Sequence, residues 1–320
     1  MIKRIAVLTT GGDAPGMNAA IRSVVRSAVN KKLEVMGVFR GWWGLINEEM
    51  KLLDHRSVSG IINQGGTILK TARCPEFTTE EGQKRAFDTI KNKAIDGLVV
   101  IGGNGSFEAA HIFGMKYNVP CIGIPASIDN DINGIDMTIG WDTAINTALN
   151  AIDNIRDTAT SMERIFVVEV MGRDSGSIAL AVALAGGCED VIIPERRFDT
   201  NEICHNIVNG NIRGKISWII VVAEGAGSAE DIAKKITETT SLETRAVVLG
   251  HVQRGGRPTA ISRDLALRFG EEAVNCLLKG EKDKAVGFCC SKMTAVDFEF
   301  AIQKKELNFN YWYDLIKILT

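Results

Sequence analysis

The chain has 320 residues, 45% of them apolar and 24% charged, with a formal net charge of −2. That length supports one large or two moderate domains around a substantial core, and the near-neutral balance excludes bulk electrostatic attraction to nucleic acid or an acidic membrane. The seven cysteines (Cys74, Cys121, Cys188, Cys204, Cys276, Cys289, Cys290) are odd in number and include no CxxC pair, so a reduced cytoplasmic compartment is the simplest reading.

The opening run IKRIAVLTT reads as a strand with no signal-peptide architecture. The longest apolar runs, such as Ile178 to Ala185, fall far short of the roughly 20 residues of a membrane span. From the first strand onward one pattern recurs: an apolar β-branched run, a glycine-rich or polar turn, then a helix-forming segment. IAVLTT leads through GGDAPG to MNAAIRSVVRSAV, and GLVVIG through GNGS to FEAAHIFGM. CIGIPA leads to SIDNDING, with TAINTALNAIDNIRDTA a little further on. IFVVEVM leads through GRDSG to SIALAVALAGG, and WIIVVAEGAG leads to SAEDIAKKI.

Continuous apolar strands alternating with helices predict an α/β fold of largely parallel sheets covered by helices. Ligands of such sheets bind beyond the carboxyl ends of the strands, where each of these turns falls. No repeat or low-complexity linker divides the chain, so two lobes would be interwoven rather than strung in series. The aromatic, amphipathic tail NFNYWYDLIKILT is expected to pack onto a lobe or a partner chain.

Several turns carry residues suited to chemistry. In GGDAPGMN, Gly11 and Gly12 permit backbone angles and close approach that a Cβ would block, although a bare tight turn fits the glycines equally well. In VVIGGNGS, a strand meets a glycine-rich turn and then a helix, the order that makes an anion site from unpaired N–H groups. In SIDNDING, Asp129 and Asp131 lie two apart after a strand. If the segment is extended they face one way, and one can take a proton from an alcohol while the other orients it or reaches a metal through water. Both can instead cap backbone N–H groups of a turn.

Arg73, Arg164, Arg173, Arg245 and Arg254 lie at or near strand ends or turns, and guanidinium forks match phosphate oxygens. Together they favour a phosphorylated substrate, although each alone suits a surface ion pair. His251, in GHVQRGG, is given a binding role and no acid–base chemistry. Trp42, in RGWWG, is a core aromatic or a face for a nucleotide base.

These turns, in this order, resemble the bacterial ATP-dependent 6-phosphofructokinase family. The resemblance runs nearly end to end through LTTGGDAPGMNAAIR, INQGGT, TARCPEF, VVIGGNGS, IPASIDNDI, VVEVMGRDSG, AGGCE, ETRAVVLGHVQRGG and AVG. It implies a phosphofructokinase-like α/β fold of two interwoven lobes. Residues 1–139 with 252–302 would form the nucleotide-binding lobe, and 140–251 with 303–320 the sugar-phosphate-binding lobe. The implied protein is a cytoplasmic homotetramer of glycolysis with no nucleic-acid or membrane partner. The implied reaction moves the γ-phosphoryl group of MgATP to the 1-hydroxyl of fructose 6-phosphate, giving fructose 1,6-bisphosphate and ADP.

By the same resemblance Asp129 is the catalytic base, Asp131 supports the metal and the hydroxyl, and Ser127 and Arg173 stabilise the transferring group. Gly11, Arg73, Cys74, Gly103, Asn104, Gly105 and Ser106 match nucleotide contacts, with Trp42 as a candidate stacking face. Asn104 and Asp131 fall at the Mg2+ site. Arg164, Met171, Gly172, Glu224, Arg245, His251 and Arg254 join Ser127, Asp129 and Arg173 around the sugar phosphate. Arg22, Arg26, His55, Arg156, Glu189, Arg213 and Lys215 match a regulatory site for ADP or phosphoenolpyruvate.

The chain departs from the family pattern where Asn104 replaces a metal-site aspartate, a kind of loss worth roughly 10- to 100-fold in affinity or activity. Cys74 replaces an aromatic, Ser127 a threonine and Ala126 a glycine, while His55 stands where arginine is common. A second reading is therefore a weakened paralogue that binds sugar phosphate and nucleotide as a regulatory subunit. A third, a pyrophosphate-dependent kinase, is opposed by Gly105, because a bulkier acidic residue accompanies that donor.

Overall fold

The structure, a computed structural model, describes residues 2–320. The chain begins with β1 (Arg4–Thr9), α1 (Met17–Asn30), β2 (Glu34–Val38), α2 (Trp42–Ile46) and β3 (Met50–Leu53). After a 3-10 turn at Pro75–Thr78 come α3 (Glu80–Asn92), β4 (Gly97–Gly102), α4 (Asn104–Tyr117), β5 (Cys121–Ser127) and β6 (Ile139–Gly140). Next are α5 (Trp141–Met162), β7 (Ile165–Val170), α6 (Ser177–Ala185), β8 (Asp190–Ile192) and α7 (Thr200–Ile212). Then follow β9 (Trp218–Ala223), α8 (Ala229–Thr240), β10 (Thr244–Val248) and a second 3-10 turn at Gly250–Arg254. The chain ends with α9 (Ala260–Leu278), β11 (Lys284–Cys289), β12 (Lys292–Asp297), α10 (Phe298–Ala301) and α11 (Phe309–Leu319).

The chain divides into two compact units. The first runs to Thr143 and takes up Arg254–Lys305, and the second comprises Ala144–Gln253 and Glu306–Thr320. The first unit's sheet has the order β12-β11-β5-β4-β1-β2-β3, with β6 paired to β5. Its central strands are parallel and largely buried, β4 along its whole length, while β2–β3 and β11–β12 run antiparallel at the two edges. Side chains alternate across the pleat. Ala6, Leu8, Leu98 and Val100 join Phe107 and Phe113 of α4 in one core layer, while α1 packs on α9 in another layer.

The second unit holds a four-stranded parallel sheet, β10-β7-β9-β8. Ile165, Val167, Ile220 and Val222 pack there against Ile203 and Ile207 of α7 and Ile232 and Ile236 of α8. The amphipathic tail forms α11, which packs on α6 and β8 of this unit and buries Ile316. No helix among the described residues is long and apolar enough to cross a membrane.

Candidate active site

In the first unit, the turn after β1 and the start of α4 are built against each other. Gly11 has φ 82°, and a Cβ on it would lie 3.1 Å from Ser106 Oγ. That hydroxyl donates to the Thr10 carbonyl at 3.0 Å. A Cβ on Gly12 would fall 2.5 Å from Arg254 Nη1, which also donates to the Asp13 carbonyl at 3.4 Å. Arg254, expected from the sequence beside a sugar phosphate, therefore lies on the glycine turn itself. Asn18 fastens the same loop to the INQGGT segment. Its amide donates to the Gln64 and Gly65 carbonyls and its Oδ1 accepts the Ile68 N–H.

The GNGS segment is not a turn ahead of a helix. Gly103 is the N-cap, and Asn104, Gly105 and Ser106 form the first turn of α4. The positive end of a helix, with N–H groups that have no partner inside the helix, thus begins at Asn104. A Cβ on Gly105 would meet nothing within 4 Å, so that face of the turn is open.

The loop after β5 supplies the carboxylates, and it is not extended. Asn130 takes φ 50°, a left-handed angle that asparagine tolerates better than most residues. Its buried side chain locks the loop: Nδ2 donates to the Asp136 carbonyl at 3.2 Å and Oδ1 accepts the Thr138 N–H at 3.0 Å. In the sequence an asparagine between two aspartates resembles an ordinary turn residue, so this role of Asn130 is not legible there. Ser127 Oγ donates to Asp131 Oδ1 at 3.0 Å and accepts the Asp129 N–H at 3.2 Å.

Asn104 completes this arrangement. Its Nδ2 donates to Asp131 Oδ2 at 2.8 Å and to the Asp131 carbonyl at 3.1 Å. Two acceptors on one side fix the amide's orientation, so Oδ1 faces the other way, where it is buried without a hydrogen-bond partner. An aspartate here would set two carboxylates against each other. The asparagine instead ties the remaining one down and leaves an acceptor for a donor such as a metal-bound water. The donor set suits Mg2+ held through water, with Asp131 as the anionic group.

The remaining candidate nucleotide contacts, Arg73, Cys74 and Trp42, also belong to the first unit. Arg73 is exposed, and Cys74 is half-buried, with its carbonyl accepting the Phe77 N–H and burial pushing its thiol above the ordinary range. Trp42 is not a free stacking face. It is buried, stacks on Phe77 at 4.2 Å between ring centroids and meets Phe113 at 6.2 Å. The indole lies in the core because the aromatic cluster beneath α2 needs its volume.

In the second unit, the carboxyl ends of β7 and β9 carry Met171, Gly172, Arg173 and Glu224, whereas Arg164 and Arg245 lie at the amino ends of β7 and β10. Gly172 has φ 139°, and the Gly225 N–H donates to its carbonyl at 3.1 Å. A Cβ on Gly225 would collide with the Arg173 carbonyl, so Arg173 and Glu224 are fixed in adjoining turns with both side chains exposed. The fully buried Gln253 accepts the Met171 N–H at 2.9 Å, and His251 lies exposed on the same 3-10 turn. Arg164 and Arg245 share one carboxylate, Glu243, at 2.9 and 2.5 Å. Burial raises the Glu243 pKa, but hydrogen bonds from Arg245 and Arg164 outweigh it and hold the carboxyl below its usual range. Glu243 and Gln253 lie inside ETRAVVLGHVQRGG, but their residue types give no signal of these roles. Neither residue type is a phosphate ligand.

The regulatory candidates fall into two groups. In the first unit Arg22 donates to the Val58 carbonyl at 3.0 Å, and burial, reinforced by Arg26, lowers its pKa. Arg26 has a buried Nε without a hydrogen-bond partner, and His55 is exposed. In the second unit Arg156 donates to the Gly186 and Gly187 carbonyls. Glu189 accepts the Ile219 N–H at 2.6 Å and pairs with Lys215 at 3.1 Å, while Arg213 is exposed at the end of α7.

Fold and loops define an α/β protein whose strand carboxyl ends carry helix ends, glycine turns and arginines such as Arg173 and Arg254, the equipment of phosphate-handling enzymes. Known proteins narrow this further. The family profile described as Phosphofructokinase matches residues 4–277. The chain is 50% identical over 319 residues to the ATP-dependent 6-phosphofructokinases of Clostridium novyi (strain NT) and Clostridium acetobutylicum, covering 100% of each chain. A phosphofructokinase structure from Saccharomyces cerevisiae superposes with a TM-score of 0.90 at 34% identity, over 94% of this chain and 45% of that longer one. A pyrophosphate-dependent phosphofructokinase from Marinobacter aquaeolei shares the fold, with a TM-score of 0.86 at 22% identity over 99% of this chain and 91% of that one. The chain belongs to the phosphofructokinase family.

Proposed function

We propose that this chain is an ATP-dependent 6-phosphofructokinase, moving the terminal phosphoryl group of ATP to the 1-hydroxyl of fructose 6-phosphate. The observation that carries this is the Ser127–Asp131 loop, locked by Asn130 beside the N-terminus of α4. Asp129 takes the proton of the attacking hydroxyl, and Ser127 and Asp131 hold the loop that presents it. The Gly11–Gly12 turn and the first turn of α4 receive the nucleotide phosphates, with Arg73 beside them. Arg164, Arg245, Arg254, Met171, Gly172, Glu224 and His251 position the sugar phosphate, and Arg173 stabilises the charge that develops on the moving group.

Mg2+ bound with the nucleotide supplies charge neutralisation on the phosphate oxygens. Asp131 and the buried Oδ1 of Asn104 would hold its water shell. The relatives' names favour ATP over pyrophosphate as donor, and Gly105 leaves room for its chain of phosphates. The enzyme works in the cytoplasm as a homotetramer. Arg22, Arg26, His55, Arg156, Glu189, Arg213 and Lys215 serve an effector site for ADP or phosphoenolpyruvate.

The test is formation of fructose 1,6-bisphosphate from ATP and fructose 6-phosphate across a Mg2+ titration, with binding of fructose 6-phosphate measured on the same sample. Product that grows with both substrates and Mg2+ is expected. Tight binding without product would make the chain a ligand-sensing subunit instead.

A further inference from the structure

The hairpin joining β11 to β12 carries two adjacent cysteines that the proposed reaction does not use. Cys289 pairs across the hairpin with Lys292, so Cys290 and Ser291 alone form a two-residue turn. Both have positive φ, 51° and 62°. This is the mirror-image hairpin turn that Asn-Gly fills readily and that bulkier residues fill at a cost. Asp136 holds the turn in place. Its backbone N–H donates to the Phe288 carbonyl at 2.7 Å, and its Oδ2 accepts the Ser291 N–H at 3.1 Å.

Cys290 is exposed and Cys289 half-buried, whereas Cys121, Cys188, Cys204 and Cys276 are buried and Cys74 is solitary. The Cys290 thiol is a hydrogen-bond partner of Cys289 and, with burial, raises the Cys289 pKa. The Cys289 thiol is thus a poor lone nucleophile, and the adjacent pair suits a ligand that takes both sulfurs at once. Among the described residues no group of three or more His, Cys, Asp or Glu side chains could hold a metal ion, so an ion demanding four ligands is not provided for. A direct disulfide would force the sulfurs to about 2.04 Å across a single peptide unit. A bridging atom leaves them further apart.

We infer that Cys289 and Cys290 form an exposed vicinal dithiol site for trivalent arsenicals, and that occupying it disturbs the Asp129–Asp131 loop through Asp136. An arsenic(III) oxide condenses with the two thiols. Two As–S bonds replace the bonds to the oxide oxygen, both S–H bonds break, and their protons leave with that oxygen as one water. Arsenic stays trivalent and nothing is oxidised or reduced. The link to the loop is short. The Asp136 carbonyl accepts from Asn130 Nδ2 at 3.2 Å, and Asn130 stands between Asp129 and Asp131. A bridge that reshapes the turn pulls on Asp136, and so on the residue that locks the two aspartates.

The test adds one equivalent of phenylarsine oxide to the full chain and reads the intact mass and the phosphotransfer rate. One phenylarsenic group per chain is expected, removed by 2,3-dimercaptopropanol and resistant to an equal thiol concentration of a monothiol. Cys290→Ser and Cys290→Gly, the second of which also suits the positive φ, should both lose the adduct. The native rate should fall severalfold on loading, with no fall in either variant. No adduct at one equivalent, or an adduct undiminished in Cys290→Gly, overturns the site. An adduct with an unchanged rate overturns the coupling. The mass measurement stands apart from the kinase reading, on which only the rate depends.

Discussion

The carboxylate loop of the first unit and the arginine turns of the second solve opposite problems. Around Asp131 both carboxylate oxygens already have partners, and Asn130 fixes the backbone between the two aspartates. Arg173 is left exposed, and Arg245 is held only by a carboxylate in the same surface. A base must point correctly before the substrate arrives, since a neutral hydroxyl cannot organise it. A dianionic phosphate can draw mobile guanidinium groups into place by its own charge. Order is therefore built in where the ligand cannot impose it.

The largest effect should come from the ordered side. Asp129→Asn keeps the side chain's shape and removes its ability to take a proton. Turnover should drop by about 10²- to 10⁴-fold, with binding of fructose 6-phosphate and the unfolding temperature little changed. Retained turnover would move the base elsewhere.

Asn104→Asp comes next. The amide's donor to Asp131 becomes a second carboxylate facing the first, so one of the pair holds its proton to higher pH. The Mg2+ concentration needed for half-maximal rate should fall by roughly 10- to 100-fold, and the acid limb of the rate profile should shift upward in pH. An unchanged Mg2+ requirement would separate Asn104 from the metal.

Buried thiols give a stability effect of intermediate size in both units. Burial pushes Cys276 of the first unit and Cys188 of the second up to about 12. Their folded values lie above the unfolded value of about 8.5, so this contribution is complete below that pH and is lost as pH rises toward 12. Lys305 acts with the opposite sign. Burial lowers its pKa despite Asp131 and Asp136, so its cost is present at neutral pH and relieved as pH rises through its folded value. Urea midpoints measured between pH 8 and 10 should fall, with a slope near 1.4 kcal/mol per pH unit for each thiol well above its unfolded value. Cys188→Ala should flatten the curve by one such share.

Much of this molecule was legible in the chain because strands and turns announce themselves locally. β1, β4, β5, β7 and β9 are apolar runs ended by glycine or polar turns, and each lies where the pattern puts it. The tail packs onto the second unit, one of the two fates its amphipathic composition allows, and does so as helix α11. Edge pairings such as β2–β3 and β11–β12 were not visible, since their partners are set by the sheet and not by the residues alone. At the site, Asp129 and Asp131 stand out by type and spacing, and Asn104 by its departure from the family pattern. Asn130, Gln253 and Lys305 do not, because their roles come from the carbonyls and N–H groups that the fold places around them. Trp42 shows the converse: its chemistry suited a base, and the aromatic cluster claimed it first.

The smallest effect tests the loosely held side. Glu243 occupies Arg164 and Arg245 together at an exposed position, where solvent screening keeps an ion pair weak. Glu243→Gln removes the competing negative charge without removing either guanidinium. If the phosphate itself orders these arginines, they should bind it better once released, and KM for fructose 6-phosphate should fall by about two- to fivefold with kcat unchanged. The gain should fade as salt is raised, because the charges are solvent-facing and screened over about 8–10 Å at physiological salt. A rise in KM would mean that Glu243 holds the pair in its working geometry. The second unit would then be preorganised in the same way as the loop around Asp131, and the contrast between the two regions would fail.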